Sequence, residues 1–314
     1  MQSKSGSVGQ ERTGQLPLVS IVVLTFNSAA TVRETLDSLL HQKYPELEII
    51  VCDDGSRDST VEIIRAWRDL CHADFKRIEI IANAENRGIC RNLNAGYATA
   101  VGEWIKPIAG DDIILPGAIR RYVDFALAGS AGVIFSPVQT FSEANPLGAG
   151  GGKVLPSAEN IALICGDPAK LLKILRLRNM ILAPGVFFRR ADYEAVGGVD
   201  LRFVHLDDWP MWINFLVHGK FFAWLPEVLV AYRLGDTISV SKNSTAINPD
   251  FLQDHVTFYE NYQIGYINIF HRWDRILEVS RFKLAKNALR AYPRFYKFTG
   301  VLRFLSPVYF LRRN

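Results

Sequence analysis

From Leu18 onward the chain alternates short, continuously apolar runs with longer amphipathic ones, and few architectures besides a layered sheet accommodate that alternation. Val19, Ile21, Val22, Val23 and Leu24 put large side chains on both faces of the pleat, as in a strand covered on both sides. Thr31 to His41 then places Val32, Leu36, Leu39 and Leu40 at helical spacing, and Leu47 to Cys52 is again a short apolar run. The unit repeats. Ser59 to Leu70 is predicted helical, Arg77 to Ala82 a strand, Gly88 to Ala100 a helix and Glu103 to Ile108 a strand. Strand and helix pairs spaced about thirty residues apart call for an α/β fold, with a mainly parallel sheet and helices on both faces. Ligands of such sheets bind past the carboxyl ends of the strands, where strand order reverses. The loops placed there are Thr25 to Ala29, Asp53 to Asp58, Asn83 to Arg91 and Ala109 to Leu115.

Further along, Gly148 to Gly152 interrupts the pattern as a flexible loop, and Asp167 to Leu177 is predicted helical. Gly185 to Arg189 reads as a strand, and Trp209 to His218 as a helix with Trp212, Phe215 and Leu216 on one face. Residues 1 to 16 carry almost no large apolar side chains, so burial cannot offset the entropy of ordering them, and they are expected to be a flexible tail. Arg281 to Asn314 holds nine basic residues and no acidic one, interleaved with rings such as Tyr292, Phe295, Tyr296, Phe298 and Phe304. That mixture suits an anionic membrane surface, where rings enter the acyl boundary and Lys and Arg stay with phosphates.

The apolar share of 49% and charged share of 22% over 314 residues are those of a globular protein with a sizeable core. A net charge of +4 would admit anionic small molecules, membranes or nucleic acid. Nucleic acid is disfavoured, because the basic residues gather in the tail rather than on a recognition element. Cys52, Cys71, Cys90 and Cys165 have no metal-ligand spacing and no close pair, which suits a reducing cytoplasm. No apolar run reaches the roughly 18 residues of a membrane span, and Met1 to Gln15 lacks a signal-peptide stretch, so a cytosolic location is expected.

Three acidic clusters follow apolar runs. Asp53 and Asp54, with Gly55, Ser56 and Asp58 behind them, either offer carboxylates to a base or ribose or form a turn and helix cap. Asp111 and Asp112 follow Lys106, Pro107, Ile108, Ala109 and Gly110. Adjacent carboxylates repel, so near an interior they need a cation, and Mn²⁺ or Mg²⁺ typically takes one or two carboxylates plus phosphate oxygens; the alternative is a solvated loop. Asp207 and Asp208 lead into an apolar helix, where walls such as Trp209 and Trp212 would raise a carboxylate's pKa toward that of a general base. The same residues also suit a helix start with Asp208 as N-cap.

The ordered series V-S-I-V-V-L-T-F-N from Val19, L-E-I-I-V-C-D-D-G-S from Leu47, E-N-R-G-I-C-R-N from Glu85, G-E-W-I-K-P-I-A-G-D-D from Gly102, Gly197 to Asp200 and Asp207 to Trp212 resembles the family 2 glycosyltransferases of GT-A fold, over about residues 18 to 240. The resemblance implies a Rossmann-like nucleotide-sugar half at 17–115, an acceptor half at 116–240, and a helical C-terminal extension at 241–314. It implies that Thr25 and Phe26 line the base pocket, that Asp54 contacts the base, and that Asp111 approaches ribose or metal. Asp112 would coordinate Mn²⁺ or Mg²⁺, and Asp208 would be the base of an inverting reaction. Arg87 and Arg91 lie in the segment that covers the donor and would pair with diphosphate. The expected donor is a nucleoside diphosphate-sugar, with UDP-sugar favoured, and the expected acceptor a saccharide or a lipid-linked molecule.

Two departures stand out. Ala109 occupies the first acid position of the fuller motif, and Tyr232, Arg233, Leu234, Gly235, Asp236 lacks the family's following His. His205 and His218 are then the candidates for a third metal ligand. A pyrophosphorylase would carry a glycine-rich phosphate loop and a dehydrogenase Gly-x-Gly-x-x-Gly after the first strand, and Thr25 to Thr31 has no glycine. A non-catalytic sugar-binding protein of the same fold stays open on the strength of Ala109.

Overall fold

The structure is a computed structural model that describes residues 15–148, 152–235 and 249–263, with 276 and 280 as isolated positions. The predicted tail before residue 15, Ala149 to Gly151 of the glycine-rich loop and the basic segment 281–314 lie outside the described residues.

The predicted alternation is present. It runs β1 (Val19–Thr25), α1 (Val32–Leu40), β2 (Leu47–Asp53), α2 (Thr60–Cys71), β3 (Arg77–Ala82), α3 (Ile89–Thr99) and β4 (Trp104–Ala109). The second half adds β5 (Ile113–Ile114), α4 (Ala118–Ala128), β6 (Val133–Phe135), β7 (Val138–Phe141), β8 (Val154–Leu155), α5 (Ala158–Ile164) and α6 (Pro168–Leu175). Then come β9 (Val186–Arg189), α7 (Arg190–Ala195), α8 (Asp208–Val217), β10 (Phe222–Trp224), β11 (Val230–Arg233) and α9 (Pro249–Phe258), which ends in a π-helical turn, Tyr259–Gln263. No described helix is long and apolar enough to cross a membrane.

A seven-stranded sheet has the order β10-β6-β9-β4-β1-β2-β3. Only β9 departs from the common direction, running antiparallel to β4 and β6. The pleat explains why the strands are apolar throughout. Ile21, Val23, Ile49 and Val51 enter one core with Val32, Leu36, Ile64 and Trp67 of α1 and α2. Val22, Ile50 and Cys52 enter the other with Leu93 and Tyr97 of α3 and Trp212 and Phe215 of α8. Each such side chain, fully withdrawn from water, contributes roughly 1.5–3 kcal/mol, so the two faces together hold the sheet between helical layers.

From β1 the chain proceeds outward through β2 and β3 and then returns to the opposite side of β1 as β4. The reversal opens a crevice at the carboxyl ends of β1 and β4. A second sheet, ordered β5-β11-β7-β8, sets the course of the chain just after β4. Its antiparallel pair β5–β11 aligns Ile113 with Ala231 and Ile114 with Val230, which brings the residues preceding Ile113 alongside the end of β11.

Candidate active site

The register of the main sheet delivers the first two acidic clusters to one edge. Thr25 is paired with Asp53, and Leu24 with Ala109, so the residues that follow these strands emerge side by side. Gly110 makes the approach tight: its N–H donates to Leu24 O at 2.7 Å, and its carbonyl accepts from Thr31 Oγ1 at 2.8 Å.

The two carboxylates of the first cluster have different tasks. Asp53 is fully buried and satisfied internally, accepting from Thr25 Oγ1 at 2.8 Å, Ser56 N at 2.8 Å and Ser56 Oγ at 2.5 Å. It holds the turn, the second of the two readings open for this cluster. Asp54 faces the covering loop, accepting the N–H groups of Arg87 and Gly88, each at 2.9 Å, and Asn83 Nδ2 at 3.3 Å. The segment that holds Arg87 and Arg91 is therefore pinned by Asp54, while both guanidinium groups are exposed. Phe26 is 47% exposed at the mouth of the crevice, and Thr25 is buried beneath it.

Asp112 is 1% exposed. One carboxylate oxygen accepts Arg233 N–H at 2.8 Å; the other, Oδ2, is buried with no hydrogen-bond partner. Leaving such an oxygen unmatched costs about 1–3 kcal/mol. Burial, and then the charge of Asp111, pushes the Asp112 pKa up to about 8, and burial raises that of Asp111. Behind them lies Lys106, fully buried, donating to Pro107 O at 3.0 Å, Val186 O at 3.2 Å and Pro184 O. Burial pushes its pKa down to about 7, with the charge of Asp112 opposing the fall. A hard divalent cation fits the orphaned Asp112 oxygen, since Mn²⁺ or Mg²⁺ needs only one or two protein carboxylates when phosphate and water supply the rest. Among the described residues no group of three or more His, Cys, Asp or Glu could hold a metal unaided.

The third cluster comes from the other half. Asp207 stands at the N-cap position of α8 but makes no side-chain cap bond, and Asp208 is the first helical residue. The expectation of Asp208 as N-cap is thus corrected by one position. Both carboxylates keep part of their surface open, yet protein surrounds them closely enough that burial raises both pKa values, with Asp208 adding its charge against Asp207. Asn179 Nδ2 donates to Asp208 Oδ2 at 3.0 Å. The orientation of that amide is fixed, because Asn179 Oδ1 takes the Ile181 N–H at 3.1 Å.

Tyr232 is next to Arg233 on β11, and its phenol pKa is raised by burial and then by the negative charges of Asp112, Asp111 and Asp208. Asp54 connects to the third cluster by contact, because Gly88 packs against Val204, three residues before Asp207, and Cys90 N–H donates to Val204 O at 3.2 Å. His218 does not join them. It caps the far end of α8, which is ten residues long, with Nδ1 at 2.8 Å from Asn214 O, so the idea of His218 as a metal ligand is set aside. His205 contributes its N–H to Asp254 at 2.7 Å.

Lys106, Asn179, Tyr232 and Arg233 are site residues to which the sequence reading assigned no role. A lysine inside an otherwise apolar strand signals a buried partner. Nothing in the sequence marks Asn179, which reaches Asp208 only through the fold.

Residues 20–164 match the family model for glycosyl transferase family 2. The succinoglycan biosynthesis protein ExoO of Rhizobium meliloti is 35% identical over 117 residues, which is 37% of this chain and 32% of that protein. EpsE of Bacillus subtilis, named as a glycosyltransferase, is 29% identical over 228 residues, 69% of this chain and 73% of EpsE. The chain thus matches about a third of the length of ExoO and about three quarters of EpsE. Among solved structures, Staphylococcus aureus TarS in complex with UDP-GlcNAc superposes with a TM-score of 0.61 at 17% identity, covering 88% of this chain and 76% of TarS. The mannosyltransferase PcManGT of Pyrobaculum calidifontis, in complex with GDP-Man and Mn²⁺, gives 0.54 at 19% identity, over 98% of this chain and 85% of PcManGT. The chain thus has the mainly parallel GT-A fold, and its residues 20–164, with the motifs at the carboxyl edge of the sheet, match glycosyl transferase family 2.

Proposed function

We propose that the chain is an inverting, metal-dependent hexosyl- or hexosaminyltransferase. It moves a sugar from a nucleoside diphosphate-sugar, UDP-sugar favoured, to a hydroxyl of a saccharide or lipid-linked acceptor in cell-surface polysaccharide or glycolipid synthesis. The observation that carries this reading is the buried Oδ2 of Asp112, which has no hydrogen-bond partner among the described residues. An acid poised for a cation and an acid poised for a proton are what transfer from a diphosphate requires.

In this reading Thr25 and Phe26 hold the base, Asp54 contacts it while pinning the loop above, and Arg87 and Arg91 pair with the diphosphate. Asp111 and Asp112 would hold Mn²⁺ or Mg²⁺, which when bound would supply positive charge against the diphosphate. The acceptor oxygen forms a bond to the anomeric carbon as the bond from that carbon to the diphosphate oxygen breaks, its electron pair leaving with the nucleoside diphosphate. Asp208 takes the hydroxyl proton. The raised pKa of Asp208 suits it to this, since a stronger base accepts a proton more readily. The ligands of the structural neighbours, UDP-GlcNAc in TarS and GDP-Man with Mn²⁺ in PcManGT, support a nucleotide-sugar donor. The composition of 281–314 supports a peripheral position on the inner face of the cell membrane, where a lipid-linked acceptor would be met.

The test is a panel of UDP- and GDP-sugars with Mn²⁺, read first by thermal shift and then by release of nucleoside diphosphate. A preferred donor should stabilise the chain by mass action and be consumed. Stabilisation without consumption, with acceptors supplied, would favour the non-catalytic sugar-binding protein to which Ala109 points.

A further inference from the structure

We infer that Asp254, on α9 and beyond the matched family region, is a positioning residue: its carboxylate holds the backbone of the loop that presents Asp207 and Asp208. The inference rests on the glycosyltransferase reading for its consequence, and on geometry alone for the clamp.

Asp254 is 1% exposed. Its Oδ2 accepts the N–H groups of Val204 at 3.2 Å, His205 at 2.7 Å and Leu206 at 3.1 Å, while Oδ1 takes a second bond from Val204 at 3.1 Å. No cation pairs with this carboxylate among the described residues. A buried carboxylate without a counter-ion is expensive, and among the described residues converging backbone dipoles are what offset it. An apolar side chain would pack α9 onto the loop at lower cost. What the carboxylate adds is direction, because three successive N–H groups aimed at one group fix the backbone from Val204 to Leu206, and Asp207 is the next residue.

The same loop is gripped from the donor side. Val204 O accepts from Cys90 N–H, and a Cβ placed on Gly88 would lie 2.5 Å from Val204 Cγ1. Gly88 in turn donates to Asp54. Contacts therefore run without a break from Asp54 through Gly88 and Val204 to Asp254. The helix holds both flanks of the acidic pair: Tyr262 Oη donates to Asp200 at 2.9 Å, Arg202 donates to Asn261, and the Trp209 ring lies 4.1 Å from that of Phe258. A misplacement of about 1 Å at a reacting group can lower turnover a hundredfold, so a clamp on the preceding residues bears directly on rate.

The full chain is compared with Asp254→Ala and Asp254→Asn, the second keeping one acceptor oxygen in the same shape. Hydrogen exchange at 203–208, affinity for UDP with Mn²⁺, and kcat and KM for the consumed nucleotide sugar are measured. In Asp254→Ala, exchange at 204–206 should rise and kcat fall by about tenfold or more, with UDP affinity and donor KM within about threefold of wild type. Asp254→Asn should recover much of both. Unchanged protection at 204–206 or unchanged kcat in Asp254→Ala, or a parallel loss of UDP affinity and kcat in Asp254→Asn, would overturn the role. Should Asp254→Ala not fold, the asparagine variant carries the same comparison. A wild-type chain that consumes no nucleotide sugar would refute the catalytic reading, while the exchange difference would still accept or reject the clamp.

Discussion

The Arg233 N–H donates to Asp112 Oδ1 at 2.8 Å although the two residues lie 121 positions apart, and it is the only hydrogen bond that the Asp112 carboxylate makes among the described residues. The same arginine donates from Nε to the carbonyl of Asp111 at 2.8 Å, pairs with Glu34, and lays its guanidinium 4.3 Å over the Phe141 ring. The end of β11 thus sets the Asp111–Asp112 turn from one side and leaves one oxygen of Asp112 for something else.

Replacing Asp112 by Asn tests what that oxygen is for. The folded-state pKa of Asp112 is raised to about 8 from 3.8, so the folded protein holds this proton more tightly than the unfolded chain. Its contribution therefore favours folding below the unfolded value and is lost as pH rises from about 4 toward 8. Without ligand, Asp112→Asn should melt several degrees above wild type near pH 8.5 and close to it near pH 5. With UDP and Mn²⁺ the order should reverse at pH 8.5, because only the wild type gains from ligand. Thermal melts at the two pH values, with and without ligand, check both parts.

Asp208→Asn should keep UDP affinity and lose turnover by about two or more orders of magnitude. The measurement is UDP titration beside a steady-state assay on the consumed donor. Retained turnover would remove Asp208 from the role of base.

Asn179→Ala removes the bond that favours the ionised form of Asp208. Burial pushes the Asp208 pKa up to about 6, and the Asn179 amide works against that rise. Without it the pKa should climb further, so the acid limb of the pH–rate profile moves to higher pH by about half a unit to one unit. Turnover would drop a few-fold near pH 6.5 and recover near pH 8, where the carboxylate is ionised in both proteins. A uniform loss across the whole range would mean that Asn179 acts otherwise.

Much of the fold could be read in advance because each strand buried on two faces needs an unbroken apolar run, and each covering helix a 3.6-residue stripe. β3 lies within the predicted bounds, and β1, β2, β4 and β9 differ from theirs by a residue or so at an end. The small sheet was not legible: β5 and β8 have two residues each, too short to show a period. The acidic pairs were visible, as carboxylates directly after apolar runs. Their division of labour was not, since Asp53 and Asp54 are identical in type and differ only in what the fold places opposite them, a Ser56 turn for one and the 83–88 loop for the other. Asp254 escaped notice because its partners are main-chain N–H groups, which leave no trace in side-chain identity.

Gly110 offers a test of whether crowding at the end of β1 sets the metal turn. A Cβ there would lie 2.8 Å from Thr25 Cγ2 and 3.1 Å from Leu24 O. Neither neighbour yields easily, since Thr25 is 3% exposed and tied through Oγ1 to Asp53, and Leu24 O already accepts the Gly110 N–H. The turn bearing Asp111 and Asp112 has to move instead. Overpacking of this kind typically costs about 1–3 kcal/mol, so Gly110→Ala should lower stability by that order. Because the displaced residues are the proposed cation ligands, affinity for UDP with Mn²⁺ should fall by about tenfold as well. Gly129→Ala is the control: its Cβ would meet only Phe125 O, at 3.6 Å, an ordinary contact at the end of α4. Denaturant unfolding and UDP titration on both variants give the comparison, and equal behaviour would show that the turn tolerates a methyl group where the geometry leaves it no room.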